Sequence, residues 1–121
     1  MEEKFNFENL KVYQRSLKLS IEMIKEVQGF NFKYNRIRDQ LIGATISVPL
    51  NIAEGNGRRS SKDKNGFYKI ARSSCFECIP LLSICSELQL INKIKHDHWR
   101  AEIREICGMI SGLIRYNNSK P

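Results

Sequence analysis

Residues 41–60, LIGATISVPLNIAEGNGRRS, carry the clearest fold signal in this chain of 121 residues. Apolar residues recur here at intervals of three and four, which is the spacing of one face of an α-helix. The pattern predicts a helix from about Asn35 to Ala53 that ends at Gly55 and Gly57. Pro49 predicts a kink, because its ring displaces the carbonyl of Thr45 and it has no N–H to donate. The main apolar stripe is Ile37, Leu41, Ala44, Val48 and Ile52, with Ile42, Ile46 and Leu50 outside it.

The same helical period continues upstream of this stretch. It predicts a helix from about Glu8 to Gln28, which stops at Gly29. The predicted apolar stripe is Leu10, Tyr13, Leu17, Ile21 and Ile24, with Val12, Leu19, Met23 and Val27 beside it. The apolar arc of this helix then spans roughly 200°, about twice the usual width for a surface helix.

Two more helices are predicted downstream. One begins after Ser60 or Ser61, either of which can cap it, and continues to about Leu88. Its inward residues are predicted to be Phe67, Ile70, Ala71, Cys78, Leu81, Cys85 and Leu88. Pro80 inside this helix predicts either a kink or a break. The last helix runs from about Asp97 to Tyr116, and the polar tail NNSKP is predicted to fray. Its apolar stripe is Trp99, Ile103, Ile106, Ile110, Leu113 and Ile114.

Four helices of about 20 residues with short connections predict one all-α domain, an antiparallel up-down-up-down four-helix bundle. The wide apolar arcs of the first two helices are open to two interpretations. Either they form a further contact surface, or the whole arc is core. No apolar run approaches the ~18 residues that cross a bilayer, and the acidic start is unlike a signal peptide. We therefore expect a cytoplasmic protein with no membrane partner.

Positive charge is concentrated in the middle of the chain. The formal net charge is +7, and residues 33–72 alone hold nine basic and three acidic side chains. A local excess of this kind favours a polyanionic partner. The alternative is a solvated basic face that only keeps the protein in solution.

The predicted nucleic-acid-binding residues lie mainly between positions 58 and 76. Arg58 and Arg59 follow a glycine-rich turn, which leaves the backbone open to close approach. Lys62, Lys69 and Arg72 are spaced to share one face of the following helix, whose N-terminus attracts phosphate.

Two further features extend this predicted surface. Phe76 falls on the polar arc near Arg72, where it could stack on an unpaired base, anchor an interface or be a stray exposed apolar residue. The basic arc of the first helix is a second candidate surface, formed by Lys11, Arg15 and Lys18. No residue offers a code for reading bases, so we expect sequence-tolerant binding of RNA or DNA.

The cysteines favour packing over chemistry. Cys75, Cys78 and Cys85 fall on one helix face as small apolar residues, and with Cys107 they are expected to be free thiols. A zinc site formed by Cys75 and Cys78 with His96 and His98 is disfavoured. The cysteine pair lies in mid-helix, and an H-x-H spacing on a helix points the two rings apart. We expect no metal and no cofactor.

Four polar residues on or near packed faces are predicted to form a structural network between the second and third helices: Asn51, Glu54, Ser74 and Glu77. Glu54 is expected to pair with Arg58 or Arg59, because a carboxylate in the last turn of a helix opposes its dipole. An acid–base pair of Glu54 and Glu77 is the alternative. It is disfavoured because neither a nucleophile nor a phosphate-binding loop accompanies it. The sequence therefore predicts a protein that is not an enzyme.

Two segments, LIGATISVPLNIAEGNGRRS at 41–60 and FYKIARSSCFE at 67–77, together with the opening FENLKVYQRSLKL, carry a family resemblance. The chain resembles the four-helix-bundle proteins encoded in intervening sequences of bacterial large-subunit (23S) ribosomal RNA genes. It is also similar to the accessory variability proteins of diversity-generating retroelements. In that second branch, the resemblance implies a homopentamer with a basic surface that binds nucleic acid and a reverse transcriptase.

Two hypotheses of function follow. The first is a non-enzymatic, basic, homo-oligomeric helical bundle that binds RNA or DNA as an accessory factor, associated with ribosomal RNA intervening sequences or with retroelements. The second is a protein–protein adaptor whose basic surface meets an acidic protein or only aids solubility. Salt dependence separates them, because phosphate binding releases counterions and gives a steep salt slope.

Overall fold

A computed structural model of the protein describes residues 3–120 and confirms the predicted all-α four-helix bundle. The helices are α1 (Lys11–Val27), α2 (Asn35–Asn56), α3 (Ser61–Glu87) and α4 (Lys93–Asn118). Short 3-10 turns, Asn6–Asn9 and Phe32–Tyr34, precede α1 and α2. Each helix packs antiparallel to the next, and α1 closes the bundle against α4.

Two helices begin at residues other than the predicted ones. The chain from Asn6 to Asn9 forms a tight 3-10 turn, so α1 begins at Lys11 and not at Glu8. Asn92 caps α4, since its side chain accepts a hydrogen bond from the amide of Lys95 at 2.7 Å, and this starts the helix four residues earlier than predicted. Of the two predicted caps for α3, Ser60 is the one used.

The buried face of α1 is not the predicted stripe. Leu17 and Ile21, assigned to that stripe, are exposed. The core is instead formed by residues predicted to lie beside it, namely Val12, Leu19, Met23 and Val27, together with Ser16 and Ser20. The small serines allow close approach to α2, and the hydroxyl of Ser20 bonds to Thr45 across that contact. Periodicity alone found the apolar arc but placed its centre wrongly.

The predicted inward face of α3 is also partly wrong. Ile70 and Leu88 are exposed and Phe67 is only half-buried, whereas Tyr68 is buried. Gly55 of α2 explains this rotation, because a Cβ added there would lie 2.7 Å from the Tyr68 ring. The missing side chain makes the space that the Tyr68 ring occupies. The other predicted inward residues are buried, as are the main stripes of α2 and α4 apart from half-buried Ile37 and Leu113.

The two prolines do not interrupt their helices. Pro49 lies inside α2 and Pro80 inside α3, and both helices are continuous, so the predicted alternative of a break at Pro80 is wrong. The prediction of a frayed tail is wrong for its first residues. Asn117 is buried and donates to Asn65 of α3 at 2.9 Å, which holds the end of α4 in place. Pro121 lies outside the described residues.

Candidate nucleic-acid interface

The turn between α2 and α3 brings the first predicted cations together. Arg58 is held on two sides. Its guanidinium lies 3.1 Å from the carboxylate of Glu54 and 4.7 Å from the centre of the Phe67 ring. The predicted pairing of Glu54 with Arg58 is confirmed. Because Arg58 is already engaged, its role at this turn is partly structural.

Three other cations are freely exposed. Arg59 follows Arg58 in the turn, and Lys62 and Lys69 lie two turns apart on the outer face of α3. None of the three has an ion-pair partner among residues 3–120. Arg72 lies nearer to α4 and donates to the hydroxyl of Ser111 at 3.3 Å. We call Arg58, Arg59, Lys62, Lys69 and Arg72 the cationic surface.

The N-terminus of α3 opens onto the cationic surface. The Ser60 hydroxyl accepts from the amide of Asp63 at 3.0 Å, so that donor is already used. The first-turn amides of Ser61 and Lys62 have no helical acceptor, and they remain as donors for an anion. Asp63 is the acidic side chain in this turn, and it faces the same helix end. The turn therefore supplies a positive electrostatic potential, which the carboxylate of Asp63 partly reduces.

The segment from Gly55 to Asn56 has a packing role that sequence reasoning missed. The prediction treated Gly55 as a helix terminator, but it lies within α2, is buried and makes room for Tyr68. The backbone carbonyl of Asn56 accepts from the ammonium group of Lys64 at 2.8 Å, and its side-chain oxygen accepts from Asn6 at 3.2 Å. Burial raises the pKa of Tyr68, and a hydrogen bond with Asn56 partly opposes that effect. These contacts fix the turn that presents the cations.

The second predicted surface, on α1, is less available than expected. Arg15 is turned toward α4, where two of its nitrogens bond the carboxylate of Glu102 at 2.5 and 3.0 Å. That pair holds the pKa of Glu102 below its ordinary range. Lys11 and Lys18 remain exposed, but without Arg15 they are two separate charges and not a three-residue arc.

The predicted polar network forms in part and with a different centre. Ser47, which was not predicted, joins the helices. It accepts from the hydroxyl of Ser74 at 2.8 Å and from the amide of Asn51 at 3.0 Å. Glu54 bonds Arg58 and takes no part, and Glu77 is exposed on α3. The structure thus does not bring the two carboxylates into one network.

The cysteines occupy the core as predicted. Cys75, Cys78 and Cys85 are buried, and burial raises the pKa of each thiol, to about 12 for Cys78. Cys107 is half-buried beside Arg72, which offsets part of the rise in its pKa. His96 bonds the carboxylate of Asp97 at 2.9 Å, outside any cysteine cluster. Within residues 3–120, no three histidine, cysteine or acidic side chains are grouped to hold a metal ion.

Phe76 stands at the far end of the cationic surface. Its side chain is 62% exposed, and it lies at the edge of an open groove between α3 and α4. None of the helices within the described residues is long and apolar enough to cross a membrane.

These features define a class, the small basic four-helix bundles with a glycine-containing α2–α3 turn. The chain belongs to the family of 23S rRNA-intervening sequence proteins, whose family model matches residues 8–112. Kinship with the accessory proteins of retroelements stays a prediction.

A solved structure supports the fold. It is the crystal structure of a protein of unknown function from the S23 ribosomal protein family of Bacteroides thetaiotaomicron. The TM-score is 0.76 at 18% sequence identity, over 85% of this chain and 97% of that chain. At this identity the likeness shows the fold alone. No curated protein sequence matches this chain.

Proposed function

We propose that this protein is a non-enzymatic accessory protein that binds RNA or DNA through the cationic surface and works as a homo-oligomer. The observation that carries the proposal is the exposure of Arg59, Lys62 and Lys69 without ion-pair partners among the described residues. Arg59 and Lys62 lie beside the N-terminus of α3, and Lys69 lies two turns further along the same helix. Unpaired cations around free amide donors are suited to phosphate oxygens. Because the phosphate groups are the same at every nucleotide, binding through them tolerates any base sequence.

The family name agrees with this proposal, since it refers to an intervening sequence of 23S rRNA. The name alone assigns no ligand. The charge distribution is therefore the physical argument, and the family is the context in which RNA is the first nucleic acid to test.

Self-association is proposed from a second surface, on α2. Residues 40–53 carry no charged side chain, although one side of this helix faces outward. Ile46 and Leu50 lie on that outward side, and Leu50 is 61% exposed. Leu17 and Ile21 of α1 flank it, because the Ser20–Thr45 bond fixes the register of the two helices. An uncharged apolar strip of this kind is typical of a contact surface.

The corrected core changes the residues of this interface. Val12, Leu19 and Met23 widen the predicted apolar arc of α1 and so belonged to its possible contact surface, but they are buried within one chain. The α2 strip, defined as Leu17, Ile21, Ile46 and Leu50, takes their place. The family resemblance implies five subunits. A ring would repeat the cationic surface, and weak phosphate contacts would then combine.

Nucleic-acid binding is tested with a charge-reversed protein. The turn variant carries Arg59→Glu, Lys62→Glu and Lys69→Glu, and it omits Arg58 because that side chain supports the turn. We expect the turn variant to bind a 20-nucleotide RNA or DNA at least about tenfold more weakly at low salt, measured by fluorescence anisotropy.

The matched control has the same net charge. The control variant carries Lys25→Glu, Lys33→Glu and Arg36→Glu, three exposed cations at the opposite end of the bundle. Equal losses in the two variants would mean that only overall charge matters, and no cationic surface would then be defined. Absence of binding by the wild-type protein at low salt would refute the proposal.

The adaptor function is the second candidate, and the α2 strip is the observation that favours it. If the strip meets another protein, wild-type protein alone is a monomer. Light scattering coupled to gel filtration decides this. We expect an oligomer that Leu50→Glu dissociates, whereas Ile94→Glu, at an exposed position at the start of α4, leaves it intact. A monomeric wild-type protein across concentrations would favour the adaptor.

A further inference from the structure

An open groove runs between α3 and α4, outside the α2–α3 turn. One wall is formed by Phe76, Ile79 and Pro80 of α3. The facing wall is α4, where Ala101, Cys107 and Gly108 line the groove. The floor reaches down to Cys75 and Ile103 of the core. The groove is therefore apolar below and open to water above.

Small residues on α4 keep the groove open. A Cβ added to Gly108 would meet no atom within 4 Å, so no neighbour requires a glycine there. A glycine in an exposed helix lowers helix stability by up to about 1 kcal/mol relative to alanine. The helix thus carries this cost without a packing benefit, and the result is empty space opposite Phe76.

Positive charge lines the upper edge of the groove. Arg100 and Arg104 are exposed, one turn apart on α4, and both line the groove. Arg72 lies at one end, bonded to Ser111. Two carboxylates, Asp97 and Glu105, also line it. Asp97 is already held by His96 at 2.9 Å and by Lys93 at 3.4 Å, so Glu105 is the main opposing charge.

The groove continues the cationic surface. Lys62, Lys69 and Phe76 are seven residues apart, so they lie in a row on one face of α3. At 1.5 Å per residue, the row from Lys62 to Phe76 is about 21 Å long. That distance is long enough for several nucleotides of a single strand. A chain bound along the lysines would therefore reach the groove beside Phe76.

We infer that the groove between α3 and α4 is a subsite for an unpaired base of single-stranded nucleic acid. The base stacks on the exposed Phe76 ring above the apolar floor, and Arg100 and Arg104 bind the neighbouring phosphates. Stacking on an aromatic ring tolerates any base, because every base has a π-face. This inference rests on the proposed function, since it specifies the form of nucleic acid that the cationic surface receives.

The test compares two probes with equal numbers of phosphates. One is a 12-nucleotide oligothymidylate, and the other is the same sugar–phosphate chain without bases. We expect wild-type protein to bind the oligothymidylate at least about fivefold more tightly. Phe76→Ala should remove that preference without changing affinity for the chain that lacks bases. Phe76→Trp should restore it.

Tyr116→Ala is the control variant. Tyr116 is exposed to nearly the same extent as Phe76 and does not line the groove. Both aromatic side chains are at the surface, so neither substitution endangers folding. The control variant should retain the preference for the chain with bases.

The outcomes separate the two proposals. If wild-type protein binds both probes equally, with normal salt dependence, the base subsite is wrong and the cationic surface stands. If Phe76→Ala weakens both probes alike, the ring has no base-specific role and the subsite is again wrong. If neither probe binds, the proposed function fails, and the subsite fails with it.

Cys107 provides a second measurement within the groove. It is the one half-buried thiol of the four, and the other three are buried. We expect saturating oligothymidylate to slow the alkylation of Cys107 by N-ethylmaleimide at about pH 8.5 by several-fold. The chain without bases should protect it less. An unchanged rate of alkylation with bound oligothymidylate would place the bases elsewhere. A Cys107 thiol that does not react with N-ethylmaleimide in the free protein would show that the groove is closed to solvent, and hence to a base.

Discussion

The two prolines that lie inside helices, Pro49 of α2 and Pro80 of α3, are accommodated in different ways on the two sides of this molecule. Pro49 of α2 is buried, and the carbonyl of Thr45 loses its helical donor because of it. Ser20 of α1 replaces that donor, with its hydroxyl 2.8 Å from the carbonyl oxygen and 3.0 Å from the Thr45 hydroxyl. The interruption in one helix is therefore repaired by another helix.

Pro80 of α3 is accommodated differently. Pro80 is exposed, and so is Phe76, which lies four residues earlier. The backbone carbonyl of Phe76 lacks a helical donor because Pro80 has no N–H. Water can satisfy that carbonyl, and no other helix is needed. Instead of joining two helices, this turn of α3 lines the groove toward α4.

The difference indicates which substitutions should affect folding and which should affect binding. Around Pro49, a polar atom is buried, and its partner lies on another helix, so the two helices depend on each other. Around Pro80, the backbone and the side chains are exposed to water, and the region does not depend on another helix. We expect stability to be sensitive to substitutions in the first region and ligand binding to be sensitive to those in the second.

The largest expected effect is at Ser20. Ser20→Ala leaves the buried Thr45 carbonyl without a donor, and should lower the free energy of unfolding by about 2 kcal/mol. In a Pro49→Ala background, the new amide at position 49 can bond that carbonyl, so the cost of Ser20→Ala should fall by at least about 1 kcal/mol. Denaturant unfolding of the four proteins measures this. Equal costs in both backgrounds would show that the serine does not compensate for the proline.

A steric effect of about 1.5 kcal/mol is expected at Gly55. Gly55→Ala places a methyl group 2.7 Å from the buried Tyr68 ring and 3.0 Å from the Lys64 carbonyl, and overpacking costs more than the helix gains. Gly66→Ala on α3 is the control, since its Cβ meets nothing within 4 Å and it should be stabilising. Thermal melting distinguishes the two. A stabilised Gly55→Ala protein would mean that α2 and α3 can separate at little cost.

Pro80 should give a smaller change of the opposite sign. Pro80→Ala restores a helical amide at an exposed site without opening a cavity, and should raise the free energy of unfolding by about 1 kcal/mol. Denaturant unfolding is again the measurement. A loss of stability would show that the proline packs in a way that its exposure does not indicate.

The smallest expected effect depends on pH. Glu102 has a lowered pKa in the folded protein because of its bond to Arg15. The stability from this pair is therefore present above the ordinary glutamate pKa and is lost as pH falls through the lower folded value. Glu102→Gln should cost about 0.5 kcal/mol at pH 7 and almost nothing at about pH 3. A cost that is the same at both pH values would mean that charge is not its cause.

The sequence predicted much of this fold because its signals were local. The main stripe of α2, the stripe of α4 and the cap at Ser60 each depend on residues within a few turns of one another. The predicted orientations of α1 and α3 about their own axes were wrong, because these orientations depend on contacts with residues far along the chain. Ser20 faces inward because of a proline 29 residues later, and Tyr68 faces inward because α2 has a glycine opposite it.

The candidate site divides in the same way. The cationic residues were found by their charge and spacing, and Glu54 was correctly paired with Arg58 four residues away. The engagement of Arg15 by Glu102 could not be found, because it joins residues on α1 and α4 whose facing sides the sequence does not specify. Ser47 lacked a signal for the same reason. The groove beside Phe76 arises only when α3 and α4 are placed together.

The most direct test of the central claim is the salt dependence of RNA binding. The logarithm of affinity should fall steeply with the logarithm of salt concentration for the wild-type protein, because bound cations release counterions from phosphates. The turn variant should have a slope shallower by about two to three units, roughly one for each phosphate that its side chains no longer neutralise, while the control variant keeps a slope close to that of wild type. Equal slopes for the turn and control variants, in proteins that remain folded, would contradict the assignment of nucleic-acid binding to the α2–α3 turn.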